Sequence, residues 1–176
     1  MSALSRCLAA AVAVVTLSLS AIAVNVTPAA ARGEVVAFNG EGSAGTIIVR
    51  TSQRRLYFVL GDGRALAYPV GVGRAGRQWA GRSMIVGKHV RPAWGPPPDI
   101  ARERPDLPKV IPGGAPNNPM GVAALTLSGG EYAIHGTNNP GSIGGYVSYG
   151  CIRMYNQDIT DLFDRVSIGT PVIVTR

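Results

Sequence analysis

Residues 122–135 read Val-Ala-Ala-Leu-Thr-Leu-Ser-Gly-Gly-Glu-Tyr-Ala-Ile-His. Two short apolar runs, Val122 to Leu127 and Tyr132 to Ile134, flank Ser128-Gly129-Gly130, the composition of a hairpin turn. The stretch therefore predicts two antiparallel strands, with His135 at the end of the second. Upstream the same pattern recurs. Thr46 to Arg50 and Leu56 to Leu60 are β-branched or aromatic runs separated by the polar Thr51 to Arg55. Gly61-Asp62-Gly63 then turns the chain into Ala65 to Val70, so a three-strand meander is expected. Downstream, a Gly-rich loop from Gly136 to Gly145 leads into an extended run, Val147 to Met154. Asn156 stands where a helix cap belongs, and Ile159, Leu162, Phe163 and Val166 follow the i, i+3, i+4, i+7 rule. Gly169 closes that helix, and Pro171 to Thr175 reads as a last strand.

Composition agrees with a β-rich domain. The chain has 176 residues, 46% of them hydrophobic, with 23 Gly and 13 Pro, which is enough for one core and favours turns over long helices. Met84 to Val86 is a further short strand. After it, Pro92, Pro96, Pro97, Pro98, Pro105, Pro108 and Pro112 are expected to forbid regular structure over a long stretch. Such an excursion lines a binding site or is a disordered linker, and Trp94 and Ile100 favour packing. Gly71, Gly73 and Gly76 do not read as a phosphate-cradling loop, because no helical pattern follows them.

Three segments are expected. Residues 1–31 read as a signal peptide: Arg6 is followed by an apolar run from Leu8 to Val26, and Ala29-Ala30-Ala31 offers small side chains for cleavage. An uncleaved membrane anchor is the alternative, since the run approaches the ~20 residues that span a bilayer. Residues 32–45, small and polar with Gly40, Gly42 and Gly45, read as a flexible lead-in that does not join the core. Residues 46–176 form the domain.

Of two cysteines, Cys7 leaves with the leader, so Cys151 is a lone thiol in a disulfide-forming compartment: a reactive group, an intermolecular link or a small buried hydrophobe. The formal charge of +7 is spread over scattered arginines such as Arg54, Arg74 and Arg102. That distribution is that of a solvated surface for most of these residues; it is compatible with attraction to anionic envelope polymers, whereas nucleic acid calls for a basic cluster interleaved with aromatics. A cysteine attacks a carbonyl only as thiolate, so it needs a base beside it. There are two histidines: His89, with no matching motif, and His135, at a predicted strand end 16 positions before Cys151. Two histidines and one remaining cysteine supply too few ligands for zinc hydrolysis.

The wording around those residues is specific: Ile134-His135-Gly136-Thr137-Asn138, then Ser148-Tyr149-Gly150-Cys151-Ile152-Arg153-Met154, with Asn156 and Asp158 beyond. It resembles the catalytic motif of the L,D-transpeptidase catalytic-domain family. The likeness extends to Tyr68-Pro69-Val70-Gly71-Val72-Gly73, to Trp94 and Pro96 to Pro98, and to Asn118-Pro119-Met120-Gly121, covering roughly Thr46 to Thr175. The resemblance implies a mainly β, mixed sandwich or barrel-like fold with one late α-helix. It implies Cys151 as nucleophile, His135 as general base oriented by the Gly136 carbonyl, and the amides of Tyr149, Gly150 and Cys151 as oxyanion hole. Arg153, Tyr149 and Ser148 would meet substrate, with Arg153 either holding a carboxylate or merely solvated.

The implied reaction is cysteine acyl transfer on peptidoglycan stem peptides in the periplasm or cell envelope. It would form three-to-three cross-links in cell-wall biogenesis, or exchange a D-amino acid or attach a lipoprotein. It needs no metal and no cofactor, involves no nucleic acid, touches the membrane only through the leader during export, and suits a monomer. One residue departs from the pattern: the family most often has a second histidine where this chain has Tyr149, and a phenol of pKa ~10 is no base near neutrality. Two other readings therefore stand beside transpeptidation, a peptide hydrolase of the same fold and a wall-binding module without turnover.

Overall fold

The protein, seen in a computed structural model, is described from residue 33 to residue 176. The expected leader and Cys7 lie outside the described residues. The first strands are β1 (Glu34–Ala37), β2 (Ile47–Arg50), β3 (Arg55–Gly61), β4 (Arg64–Pro69), β5 (Val72–Gly73) and β6 (Gly81–Val90). A short helix α1 (Pro98–Glu103) precedes β7 (Ala123–Leu127), β8 (Ala133–His135), β9 (Tyr146–Ser148) and β10 (Ile152–Arg153); α2 (Asn156–Arg165) and β11 (Pro171–Thr175) end the chain.

The expected meander is present: β2, β3 and β4 pair antiparallel in sequence order. So is the hairpin of β7 and β8. Nine strands join in the order β1-β4-β3-β2-β11-β6-β7-β8-β10, and β5 pairs with β9 apart from them. The long strand β6 connects the two halves. Its first residues, Gly81 to Met84, pair with β11, and from Ile85 onward it pairs with β7.

Alternation in β2 shows how the halves close on each other. Ile47 and Val49 face inward with Leu56, Tyr68, Val172 and Val174, and meet Ile85, Leu125, Ile134 and Ile152 from the other half. Ile48 faces the opposite way, into a smaller cluster with Phe38, Val59, Ala65 and Ile173, as the two-residue period of a strand requires. Helix α2 adds Ile159 and Leu162 to the main core and packs on β7 and β8. The result is the mainly β, sandwich-like domain that the sequence implies. Ile134 and Ile152 are register partners across β8 and β10 and almost fully buried. At about 1.5–3 kcal/mol for each such side chain, they hold the two strands that present the motif residues.

Four local expectations change. The lead-in is not wholly outside the core: β1 pairs antiparallel with β4 and Phe38 is 6% exposed. The glycines at 40, 42 and 45 follow this strand, so its own residues keep β propensity. The Pro-rich excursion is not wholly irregular. Pro98 opens α1 at a first-turn position, where a missing N–H is no loss and the ring's fixed φ suits a helix. The run Val147 to Met154 is two strands, broken at Tyr149 to Cys151. Finally, Asn156 does not cap α2, whose N-cap is Tyr155. The Asn156 carboxamide oxygen instead accepts from the amides of Thr137 at 3.0 Å and Val122 at 3.3 Å. It thereby ties the start of α2 to the loop after His135.

Candidate active site

Strands β8 and β10 run parallel, with Ile152 opposite Ile134 and Arg153 opposite His135. Cys151 therefore stands level with Ala133, one strand spacing (~4.8 Å) sideways and two residues along from His135. Those residues share a face. His135, Cys151 and Arg153 all line one cavity of about 500 Å³, together with Ser148 and Tyr149. The opposite wall comes from the Pro-rich segment through Trp94, Pro97, Ile100 and Met120, so that segment is a flap over the cleft. Gly136 and Gly150 are buried. His89 lies on β6 opposite Ala124, which is itself opposite His135; its Nε2 is 3.5 Å from Thr126, a residue of the cavity wall, but His89 does not line the cavity itself.

The His135 ring is 4% exposed, and its Nδ1 lies 2.6 Å from the Gly136 carbonyl. A carbonyl can only accept, so Nδ1 carries the proton and Nε2 is left with its lone pair. Burial lowers the pKa of the ring to about 4; the carbonyls of Gly136 and Pro119 oppose that, and the Arg153 charge adds to it. Cys151 is half-buried, with Sγ 4.0 Å from the Glu131 carbonyl. Burial raises its thiol pKa, against a backbone contact at Ala133 and the positive charge of Arg153. Both shifts favour uncharged forms. At rest the cleft thus holds a neutral thiol and a neutral imidazole, with the thiol turned to the Glu131 carbonyl.

Arg153 is held without an anionic partner among the described residues: its Nε is buried and unbonded, and burial lowers its pKa. A guanidinium so placed attracts a carboxylate brought by a ligand.

The loop that carries Cys151 is tied internally. The Ser148 hydroxyl donates to the Cys151 carbonyl at 2.6 Å, and its oxygen accepts from the Gly150 amide at 3.1 Å. Two sequence expectations shift accordingly. Ser148 is 1% exposed and its hydroxyl braces the loop instead of facing a ligand; the Gly150 amide is likewise committed. The amides of Tyr149 and Cys151 have no backbone partner among the described residues. Trp79, which no motif marked, donates from Nε1 to the Gly150 carbonyl at 2.9 Å and stacks on Tyr132 with ring centroids 5.1 Å apart. Its only trace in the sequence is an aromatic side chain in a polar stretch.

Gly150 has φ +125°, and a Cβ there would run into the Tyr132 ring. Gly150→Ala is therefore expected to destabilise by about 1–3 kcal/mol and to displace Cys151. Thermal unfolding together with the rate of Cys151 alkylation measures both effects; an unchanged midpoint would mean that the loop relaxes without strain.

Comparison with known proteins places the chain in a family. The family model described as YkuD, L,D-transpeptidase catalytic domain, matches residues 44–174. Probable L,D-transpeptidase ErfK/SrfK of Escherichia coli K12 is 42% identical over 135 residues, which cover 72% of this chain and 42% of that one. Probable L,D-transpeptidase YbiS of the same organism is 38% identical over 135 residues, covering 72% of this chain and 43% of that one. The chain thus spans less than half the length of these relatives. Among solved structures, L,D-transpeptidase 3 from Mycobacterium tuberculosis superposes with a TM-score of 0.58 at 19% identity, covering 74% of this chain and 60% of that one. The catalytic domain of the Enterococcus faecium L,D-transpeptidase, acylated by ertapenem, gives 0.58 at 20% identity and covers 77% of this chain and all of that one. The fold is shared at that level. Because the family match runs from before β2 into β11 and contains every strand around the cleft, this chain belongs to the L,D-transpeptidase catalytic-domain family.

Proposed function

We propose that this protein is a peptidoglycan L,D-transpeptidase that works through a Cys151 thioester. The observation that carries the reading is the shared cleft: Cys151, His135 with its Nδ1 held by the Gly136 carbonyl, and an Arg153 without an anionic partner among the described residues line one cavity.

In the first half-reaction the Cys151 sulfur attacks the carbonyl at the L-centre of the third stem residue, and the thiol proton passes to His135 Nε2. The carbonyl oxygen becomes an oxyanion, met by the amides of Tyr149 and Cys151. Collapse of this intermediate breaks the peptide bond. The terminal D-amino acid leaves as an amine carrying the proton from His135, and a thioester remains. In the second half-reaction an amine from a neighbouring stem attacks the thioester and gives its proton to His135. The new amide forms, and the thiolate leaves and recovers the proton. Arg153 holds a substrate carboxylate near the thiol. Nothing in these steps calls for a metal or a cofactor.

The site of action is the cell envelope, reached through the apolar N-terminal segment. No helix among the described residues is long and apolar enough to cross a membrane.

Incubation with a purified stem tetrapeptide, followed by intact-protein and product mass spectrometry, tests the proposal. The expected products are an adduct on Cys151 and a cross-linked dimer. Tripeptide without dimer would assign hydrolysis instead, and absence of any Cys151 adduct would remove the mechanism.

A further inference from the structure

The flap is fastened at both ends. At its base, the Asn118 amide donates to the carbonyls of Pro92 at 2.9 Å and Pro112 at 3.0 Å, and Trp94 bridges to Ile111. At its far end the attachment is ionic. Glu103, at the end of α1, accepts from Arg74 at 2.7 Å, from Arg77 at 3.2 Å and from the Tyr149 hydroxyl at 2.6 Å. Arg77 also reaches Asp99 in the first turn of α1. The guanidiniums of Arg74 and Arg77 lie 4.2 Å and 5.2 Å from the centroid of the Tyr149 ring. Tyr149 is thus gripped on its face by two cations and at its hydroxyl by a carboxylate.

Each exposed pair in such a cluster contributes little alone, but a shared network holds one geometry better than its separate pairs would. The position matters more than the energy. Tyr149 precedes Gly150 and Cys151, whereas the segment leading into α1 brings Trp94 and Pro97, and α1 itself brings Ile100, to the wall of the cavity. One residue of the flap is therefore bonded to the loop that carries the thiol.

We infer that Glu103 is a positioning residue of this site: through Tyr149 it fastens the flap to the nucleophile's loop and sets the width of the entry to the cleft. The inference deepens the proposed function and rests on that cleft being the acyl-transfer site, although a fastened flap can be detected without turnover. It also gives Tyr149 a use that an imidazole would serve less steadily. The phenol is a donor at neutral pH, and the bond from Tyr149, followed by that from Arg74, holds Glu103 at a pKa of about 2. Tyr149 is itself shifted upward by Glu103 and then by burial, against Arg74 and Arg77. The remaining charges nearby, Asp99 on Arg77 and the Arg104–Asp106 pair, are internally matched. The clasp should then hold from just above the Glu103 value of about 2 to beyond the ordinary phenol value of ~10.

Hydrogen exchange on the full chain tests this, with Glu103→Gln, Tyr149→Phe and the double variant beside the wild type. Amides in residues 91–121 are expected to exchange about fivefold faster in each single variant, the double variant should add little, and β2, β3 and β11 should be unchanged. Alkylation of Cys151 supplies the functional readout: a bulky maleimide should gain rate relative to iodoacetamide in both single variants. Tyr149→His should give stronger protection below about pH 6, where an imidazolium makes a charge-assisted bond to Glu103, than at about pH 8, where a neutral imidazole makes a weaker one. Unchanged exchange over 91–121, additive effects, or an unchanged bulky-to-small ratio would each overturn the inference. Altered exchange and labelling in a protein that makes no acyl-enzyme would instead sink the proposed function and leave the clasp standing.

Discussion

Replacing Cys151 by alanine is expected to abolish the acyl-enzyme and leave the fold in place. The proposed chemistry passes through one sulfur, and Cys151 is the free cysteine among the described residues, so no neighbouring thiol can take over. Loss of a covalent nucleophile costs about 10⁴-fold or more in rate, because what remains is binding and oxyanion stabilisation without a bond-forming atom. Structurally the side chain is half-buried and its sulfur meets only backbone groups, the Glu131 carbonyl at 4.0 Å and Ala133. Alanine keeps the Cβ, and Ser148 still braces the loop through backbone groups. Intact-protein mass spectrometry after exposure to a stem tetrapeptide or a carbapenem-type β-lactam should show no adduct, while the circular dichroism melting curve stays within a few degrees of wild type. An adduct on the variant would place the nucleophile elsewhere.

His135→Ala should slow acylation by about 10²–10⁴-fold near neutrality, and the size of the loss should depend on pH. With its pKa lowered to about 4, the imidazole is a free base across the neutral range, so the wild-type rate should fall only as pH approaches that value. Without the base, the variant depends on spontaneous ionisation of a thiol whose pKa burial has raised. Its rate should therefore climb with pH, and the gap to wild type should narrow in alkali. Second-order acylation rates by a β-lactam from about pH 4 to about pH 10 check this. A wild-type rate that halves near the ordinary histidine value of ~6.5 would show that burial does not control the ring.

The same shift has a sign for stability. Between about 4 and ~6.5 the unfolded chain binds the proton that the buried ring refuses, so stability is full above that window and is lost as pH falls through it, by up to about 3 kcal/mol. Urea unfolding of His135→Ala should show a flatter profile there, on top of a loss at all pH values from the unmatched Gly136 carbonyl.

Much of the fold was legible because its period is local. The strands around Ile47, Leu56, Ala65 and Leu125 announce themselves by β-branched runs and glycine turns, and α2 by the spacing of Ile159, Leu162, Phe163 and Val166. The edge strand β1 was hidden because its surroundings are small and polar, and its evidence of order is Phe38, whose burial depends on residues far along the chain. Helix α1 was hidden by its prolines, although Pro98 sits where a helix tolerates one. At the site, Gly150 could be read as a backbone position, but which amide stays free could not: it depends on where the Ser148 hydroxyl turns. Glu103, Arg74 and Arg77 carried no local signal at all, since their meaning is that they converge.

By itself the sequence determined the central strands, the late helix and the chemical inventory: which β-branched runs pair, where α2 lies, and that one thiol and one imidazole stand in a recognisable setting. These are properties of neighbours in the chain, set by side-chain periodicity and turn chemistry. Tertiary structure alone decided that β2 and β11 pair in parallel, 124 residues apart at the Thr51–Thr175 bond that ends the pairing, that the Pro-rich segment closes over β8 and β10, and that Asn156 braces a loop. Each of these is a contact between segments with no pattern in common. They are selected only when burial of the whole core makes one set of long-range pairings better than the others.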